Sequence, residues 1–190
     1  MKSEILQKTE SWVLAAMTAN DPAHDERHVQ RVVSLTRQLC DEIPEADPYR
    51  AQLLAWLHDM NDDKLQTNCG LGTVAEFLRA AGAGEGDIAF VLEGIPYISY
   101  RKHPKLGPEI PLEIRIVQDA DRIDAMGAMG IARTFAYGGA KGRSLEESLQ
   151  HFDEKLLLLY DLLGTEAAKK VARPRHRFLV SFYAQWKAEE

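Results

Sequence analysis

Histidines and carboxylates recur beside apolar helical segments at three places in this 190-residue sequence. The stretch "HDERH" carries His24, Asp25 and His28, and the two histidines, four residues apart, share one helix face. In "LLAWLHDMNDDK", Leu53, Leu54, Trp56 and Leu57 run into His58-Asp59, with Asp62, Asp63 and Lys64 just beyond. The stretch "QDADRID" sets Asp119, Asp121 and Asp124 in a segment otherwise built from Ile114, Ile116, Val117 and Ile123. Burying several carboxylates on such a helix is costly unless a cation or a basic partner compensates them. Imidazoles and carboxylates are ligands for borderline or hard divalent ions. Each piece alone also has a plain structural reading: helix capping at His58-Asp59, and salt bridging of the aspartates by Arg115 and Arg122.

The elements that must carry these residues are helical throughout. Apolar residues at helical spacing predict helices over about 3–19, from Asp21-Pro22 to about Cys40, and from Asp47-Pro48 to about His58. A loop at "NDDKLQTNCGLG" precedes a short helix from about Thr73 to Ala81. The stretch "IAFVLEGIPYISY" reads as helix running into an extended segment, and "RKHPKLGPEIP" as loop. A long helical segment from Leu112 to about Tyr137 contains Gly127 and Gly130, which mark a kink or a close crossing. "YGGAKGRS" reads as a mobile loop, and helices over about 144–163 and 165–186 end the chain, with Gly164-Thr165 as stop and N-cap. No strand alternation or internal repeat is present. The expectation is an all-α, single-domain bundle over residues 1–190.

Composition narrows the function. The chain is 45% hydrophobic and 27% charged, an ordinary globular balance. A net charge of −6 disfavours nucleic acid as a partner, though a metal or a few arginines can reverse the sign locally for an anionic substrate. Cys40 and Cys69 form no ligand or disulfide pattern, the N-terminus is not a signal peptide, and no run reaches membrane-spanning length. A cytoplasmic protein without membrane partners is expected.

The order of the three places, a His, then His-Asp, then Asp about 60 residues later, resembles the H…HD…D signature of the HD superfamily of metal-dependent phosphohydrolases. The stretches "HDERHVQRV", "LLAWLHDMNDDK", "VQDADRIDAMGAMGIARTFAYGG" and "HFDEKLLLLYDLLGTEAAKKVARPRHRF" extend the resemblance over about residues 24–180. They are similar to a small bacterial subfamily that includes nucleotide pyrophosphohydrolases. The resemblance implies an HD-type helical bundle with His28, His58, Asp59 and Asp121 as metal ligands, Asp121 because the last ligand commonly lies in an "ADR" sequence. Asp119 is the alternative, but it faces about 200° away around the helix. Only His103 lies between the doublet and Asp121, which favours one divalent ion (Mn, Mg, Fe, Co or Ni).

The acid three residues beyond the doublet, Asp62, is the candidate general base, with Asp63 the alternative. Arg31, Lys64 and Arg133 are candidate phosphate-binding cations. His24 is assigned a supporting place beside His28, and Asp124, one turn from Asp121, supports a ligand or touches substrate. Arg101, Lys102 and Lys105 lie in a loop that could act as a lid. Lys169, Lys170, Arg173, Arg175 and Arg177 read as a solvated face. His151 and His176 read as surface or packing residues. Tyr97, Tyr100, Phe135 and Tyr137 read as core aromatics before base-stacking ones. The implied substrate is a small phosphorylated molecule, a nucleotide first, met by a pyrophosphohydrolase or a nucleotidase. A cyclic-nucleotide or alarmone phosphodiesterase and a catalytically weak nucleotide-binding regulator are the alternatives. A homo-oligomer is compatible with the sequence.

Overall fold

The computed structural model describes residues 1–17, 26–60, 70–100, 102–103 and 105–190. Its first three helices are α1 (Lys2–Met17), α2 (Glu26–Glu42) and α3 (Pro48–Leu57). Next come α4 (Gly70–Ala81), α5 (Glu85–Ile98) and α6 (Leu112–Asp124), then α7 (Gly127–Ala140), α8 (Leu145–Glu154) and α9 (Glu166–Glu189). No strand occurs among the described residues, so the chain is all-α. No helix among them is long and apolar enough to cross a membrane.

The central element is α3. Asp47 caps it by accepting from the Tyr49 and Arg50 amides, Pro48 starts it, and seven of its ten residues are buried. A helix apolar on all sides must sit inside others, and α3 packs against α1, α2, α5 and α6. Helices α2 and α6 also pack extensively on each other. This three-helix centre brings His28, the end of α3 and the aspartates of α6 to one place.

Polar residues on α6 are buried but engaged. Gln118 Nε2 donates to the Tyr97 and His103 carbonyls at 2.6 and 2.9 Å. Arg122 donates to the Leu162 and His103 carbonyls at 2.6 and 3.0 Å. The loop read as a candidate lid is therefore fastened to α6 at the His103 carbonyl. Arg122 serves as a carbonyl clamp rather than as a direct hydrogen-bonding partner for the aspartates.

Four expected boundaries change. The long 112–137 helix is two helices, because Met126 is extended and Gly127 takes φ +70°, a left-handed value that suits glycine. Gly130 lies so close to the Ala125 carbonyl that a Cβ would collide with it. "YGGA" is helical rather than loop: Gly138 has no room for a Cβ against Ser148 of α8, so it serves close packing. The extended stretch expected after "IAFVLEG" is helix to Ile98, because Ile88, Val91, Ile95 and Ile98 repeat at helical spacing and are all buried. Finally, the helix expected over 144–163 stops at Glu154. A 3-10 turn over Leu156–Leu158 follows, with Leu156 and Leu159 buried three residues apart.

Candidate metal centre

Each group lies on a helix held by the core or just past the end of one. His28 is flanked on α2 by Val29, Val32 and Val33, all buried, and is itself 4% exposed. His58 is the C-cap of α3 and 6% exposed. Asp59 follows it, and Asp121 and Asp124 project from α6 one turn apart. His28, His58 and Asp59 each offer a ligand atom within 4.8 Å of the others. The Asp59 carboxylate spans both rings, with Oδ1 3.3 Å from His58 Nε2 and Oδ2 3.4 Å from His28 Nε2. Asp121 Oδ1 is also 3.4 Å from His28 Nε2. Two ligands at right angles around one ion, each about 2.1 Å from it, lie about 3 Å apart. The His28–Asp59, His58–Asp59 and His28–Asp121 contacts stand at nearly that spacing, with Asp121 reaching the group through His28.

The tautomers are set from behind. His58 Nδ1 lies 2.8 Å from the Ala55 carbonyl, an acceptor only, so this nitrogen carries the proton and Nε2 presents its lone pair. That Nε2 is buried and makes no hydrogen bond among the described residues. His28 Nδ1 lies 2.8 Å from Asp124 Oδ2 and 3.1 Å from Arg133 Nη1. It cannot donate to the carboxylate and accept from the guanidinium at once, and the carboxylate can only accept. Nδ1 therefore donates to Asp124, and Nε2 faces Asp59 and Asp121. This is the arrangement of metal-ligating histidines, whose other nitrogen donates to a carboxylate or a carbonyl.

Asp124 is fully buried. Arg31 grips it through Nε at 2.6 Å and Nη2 at 3.1 Å, and Arg133 through Nη1 at 2.7 Å. Burial opposes its charge, but the hydrogen bonds from His28 and Arg31 outweigh that and hold the carboxyl well below the usual range. Burial likewise favours a neutral His28, yet the close carboxylates of Asp121, Asp124 and Asp59 lift it well above an ordinary histidine. Burial opposes the charge of Asp121, but its contact with His28 and the charge on that ring outweigh this and hold the carboxyl below the usual value. Without an ion, a proton on His28 supplies the positive charge that this cluster of carboxylates demands.

Asp119, the alternative last ligand, is engaged elsewhere. It accepts from the Gly164 amide at 2.8 Å, the Thr165 amide at 2.9 Å and the Thr165 hydroxyl at 2.8 Å. Those bonds tie α6 to the start of α9, and burial lifts its carboxyl somewhat despite them. Asp121 is thus the member of the pair that faces the histidines. The base candidates Asp62 and Asp63, the cation Lys64 and the supporting His24 lie outside the described residues. His176 stacks on Tyr160 at 4.8 Å, and Phe135 on Trp186 at 5.3 Å, both packing contacts. Arg175 does not belong to a solvated face: its Nη1 donates to the Ile123 carbonyl at 3.0 Å, beside Asp124.

Sequence reasoning missed the double arginine grip on Asp124 and the Asp119 cap on α9. Thr165 was readable as an N-cap, but its partner stands 46 positions earlier. No local signal announces such a pairing.

The HD domain family matches residues 26–126, just over half of the chain and the span that contains His28, His58, Asp59 and Asp121. The chain belongs to the HD family. It is similar to the uncharacterized protein YpgQ of Bacillus subtilis, 36% identical over 186 residues, covering 94% of this chain and 90% of that one. The crystal structure of YpgQ in complex with ADP matches with a TM-score of 0.87 at 32% identity, over 100% of this chain and 96% of that one. An HD-superfamily hydrolase from Bacillus thuringiensis matches with a TM-score of 0.79 at 36% identity, over 100% and 98% of the two chains. As an HD protein this chain is a metal-dependent phosphohydrolase.

Proposed function

We propose that this HD protein hydrolyses a phosphate ester or anhydride of a nucleotide at one divalent ion held by His28, His58, Asp59 and Asp121. The observation that carries the reading is the pair of histidines, each anchored through Nδ1, whose Nε2 atoms converge with the Asp59 and Asp121 carboxylates. Among the described residues the buried His58 Nε2 makes no hydrogen bond, which fits a metal ligand and is costly otherwise. A divalent ion there supplies Lewis-acid polarisation of a phosphoryl oxygen and a more acidic water. Two imidazoles with two carboxylates suit Mn, Fe, Co or Ni, or Mg at higher concentration.

Charge balance supports an anionic substrate. Among the described residues, three carboxylates (Asp59, Asp121, Asp124) face two guanidiniums (Arg31, Arg133), which leaves one excess negative charge. A dication turns that into one excess positive charge among these residues and offers a phosphoryl oxygen a direct cationic partner. In this proposal Asp62 takes the proton of the attacking water, Asp63 being the alternative, and Lys64 neutralises charge on the phosphate. The ADP complex of YpgQ favours a nucleotide over other phosphorylated molecules. The bond cleaved is the α–β anhydride of a nucleoside triphosphate or the ester of a nucleoside monophosphate.

The test is a screen of nucleoside mono-, di- and triphosphates, cyclic nucleotides and alarmones against protein reconstituted with each metal, with product analysis. Pyrophosphate release supports the anhydride reading, and orthophosphate from monophosphates supports the nucleotidase. Turnover confined to cyclic nucleotides or alarmones would replace both with a diesterase, and no turnover with tight binding would make the protein a regulator. Asp62→Ala is expected to retain metal and lose rate by about 100-fold or more; unchanged turnover would remove Asp62 from the mechanism.

A further inference from the structure

The sequence assigns Arg31 and Arg133 to substrate phosphate, but both guanidiniums meet on one buried carboxylate. Asp124 is reached from α2 by Arg31 and from α7 by Arg133, and it also receives His28 Nδ1–H. The bonds from Arg31 and Arg133 are 2.6 and 2.7 Å, short values characteristic of charge-assisted pairs. The two arginine side chains are only 28% and 20% exposed, and Asp124 is not exposed at all. A carboxylate held on both oxygens by planar donors cannot rotate, and neither can the imidazole that donates to it.

We propose that Asp124 is the positioning residue of the metal centre and that Arg31 and Arg133 act through it, aligning His28 rather than anchoring phosphate. The arrangement explains why a carboxylate is buried one turn from Asp121 without facing the ion's position. It also explains why two arginines converge there. One would balance the charge; two, from different helices, fix its orientation. The clamp joins α2, α6 and α7 behind the ligand, so His28 is aimed before an ion arrives. The inference rests on the metal-site reading above, and its test can be run without substrate.

Purified metal-free protein is titrated with Mn²⁺ by calorimetry, and ADP is then titrated into the Mn²⁺-saturated protein. Circular dichroism is used to check that each variant folds. Asp124→Asn should weaken Mn²⁺ binding by about 10–100-fold, the usual consequence of losing a group behind a ligating histidine. Arg31→Gln and Arg133→Gln separate the two roles. If they act through Asp124, each weakens Mn²⁺ binding by about threefold or more and leaves ADP affinity at saturating Mn²⁺ within about twofold. Adding either to Asp124→Asn should cost nothing further, because residues acting as one unit are not additive.

If the arginines instead hold phosphate, removing a positive charge near the ion leaves Mn²⁺ binding unchanged or tighter and weakens ADP by about tenfold. That result would overturn their assignment. Asp124→Asn with Mn²⁺ affinity within twofold of the parent protein would overturn the positioning role itself. Should the parent protein bind Mn²⁺ but not ADP, the nucleotide reading fails while the Mn²⁺ comparison still decides the clamp.

Discussion

At the scale of single residues, the centre is a set of groups whose protons and charges are mutually arranged. His28 shows this most clearly. Its folded value is lifted above that of a free histidine by Asp121, Asp124 and Asp59 against the opposing effect of burial. In metal-free protein the associated stability is therefore fully present below about pH 6.5, the unfolded value, and is lost as pH rises through the folded one. Thermal unfolding of metal-free protein should show a midpoint that falls as pH rises above about 6.5, an effect reduced or absent in His28→Asn. An ion bound at His28 as proposed must displace that proton, so Mn²⁺ affinity should rise with pH and binding should release protons, seen as a buffer-dependent heat in calorimetry. A pH-independent affinity would contradict the account. His58 was legible in the sequence because the doublet ends an apolar helix. The clamp on Asp124 was not, since Arg31 stands 93 positions away and nothing local links them.

Elements decide whether those residues meet. Helix α6 serves two masters: Asp121 faces His28 Nε2 and Asp124 backs the same ring at Nδ1, while Asp119 holds the start of α9. Asp119→Ala should cost about 2–4 kcal/mol of stability, because two amides and a hydroxyl lose their acceptor. It should leave Mn²⁺ affinity within about threefold, whereas Asp121→Ala should abolish it. Loss of metal in the Asp119 variant alone would exchange their roles. Behind them, Gly127→Ala forces a β-carbon into left-handed backbone at φ +70° and to 3.1 Å from Arg175 Cβ. A loss of about 1–2 kcal/mol is expected in denaturant unfolding. Helical periodicity revealed most of the elements. It failed at "YGGA" because glycines were read as freedom when Gly138 is there for close packing, and at 112–137 because a break and a kink look alike in sequence.

Across the whole molecule, the nine described α-helices, four of them packed directly on α3, serve to bring residues from 28 to 133 in the chain to one buried spot. The fold class was readable because apolar spacing is helical almost throughout and the chain is long enough to bury a core. The network at its centre was not, because it depends on how α2, α6 and α7 pack, which no single segment encodes. A protein of net charge −6 that acts on phosphates must create a positive site locally, and the proposed dication would do so. Removing it by chelation should abolish turnover and also lower the unfolding midpoint, since the ion binds only the folded arrangement.

The most direct test of the central claim is a crystal soaked in Mn²⁺ and measured for anomalous scattering. One peak is predicted, about 2.0–2.3 Å from His28 Nε2, His58 Nε2 and a carboxylate oxygen each of Asp59 and Asp121. A saturated crystal with no peak there, or with the ion bound by Asp119 or by Asp124 in place of Asp121, would contradict it.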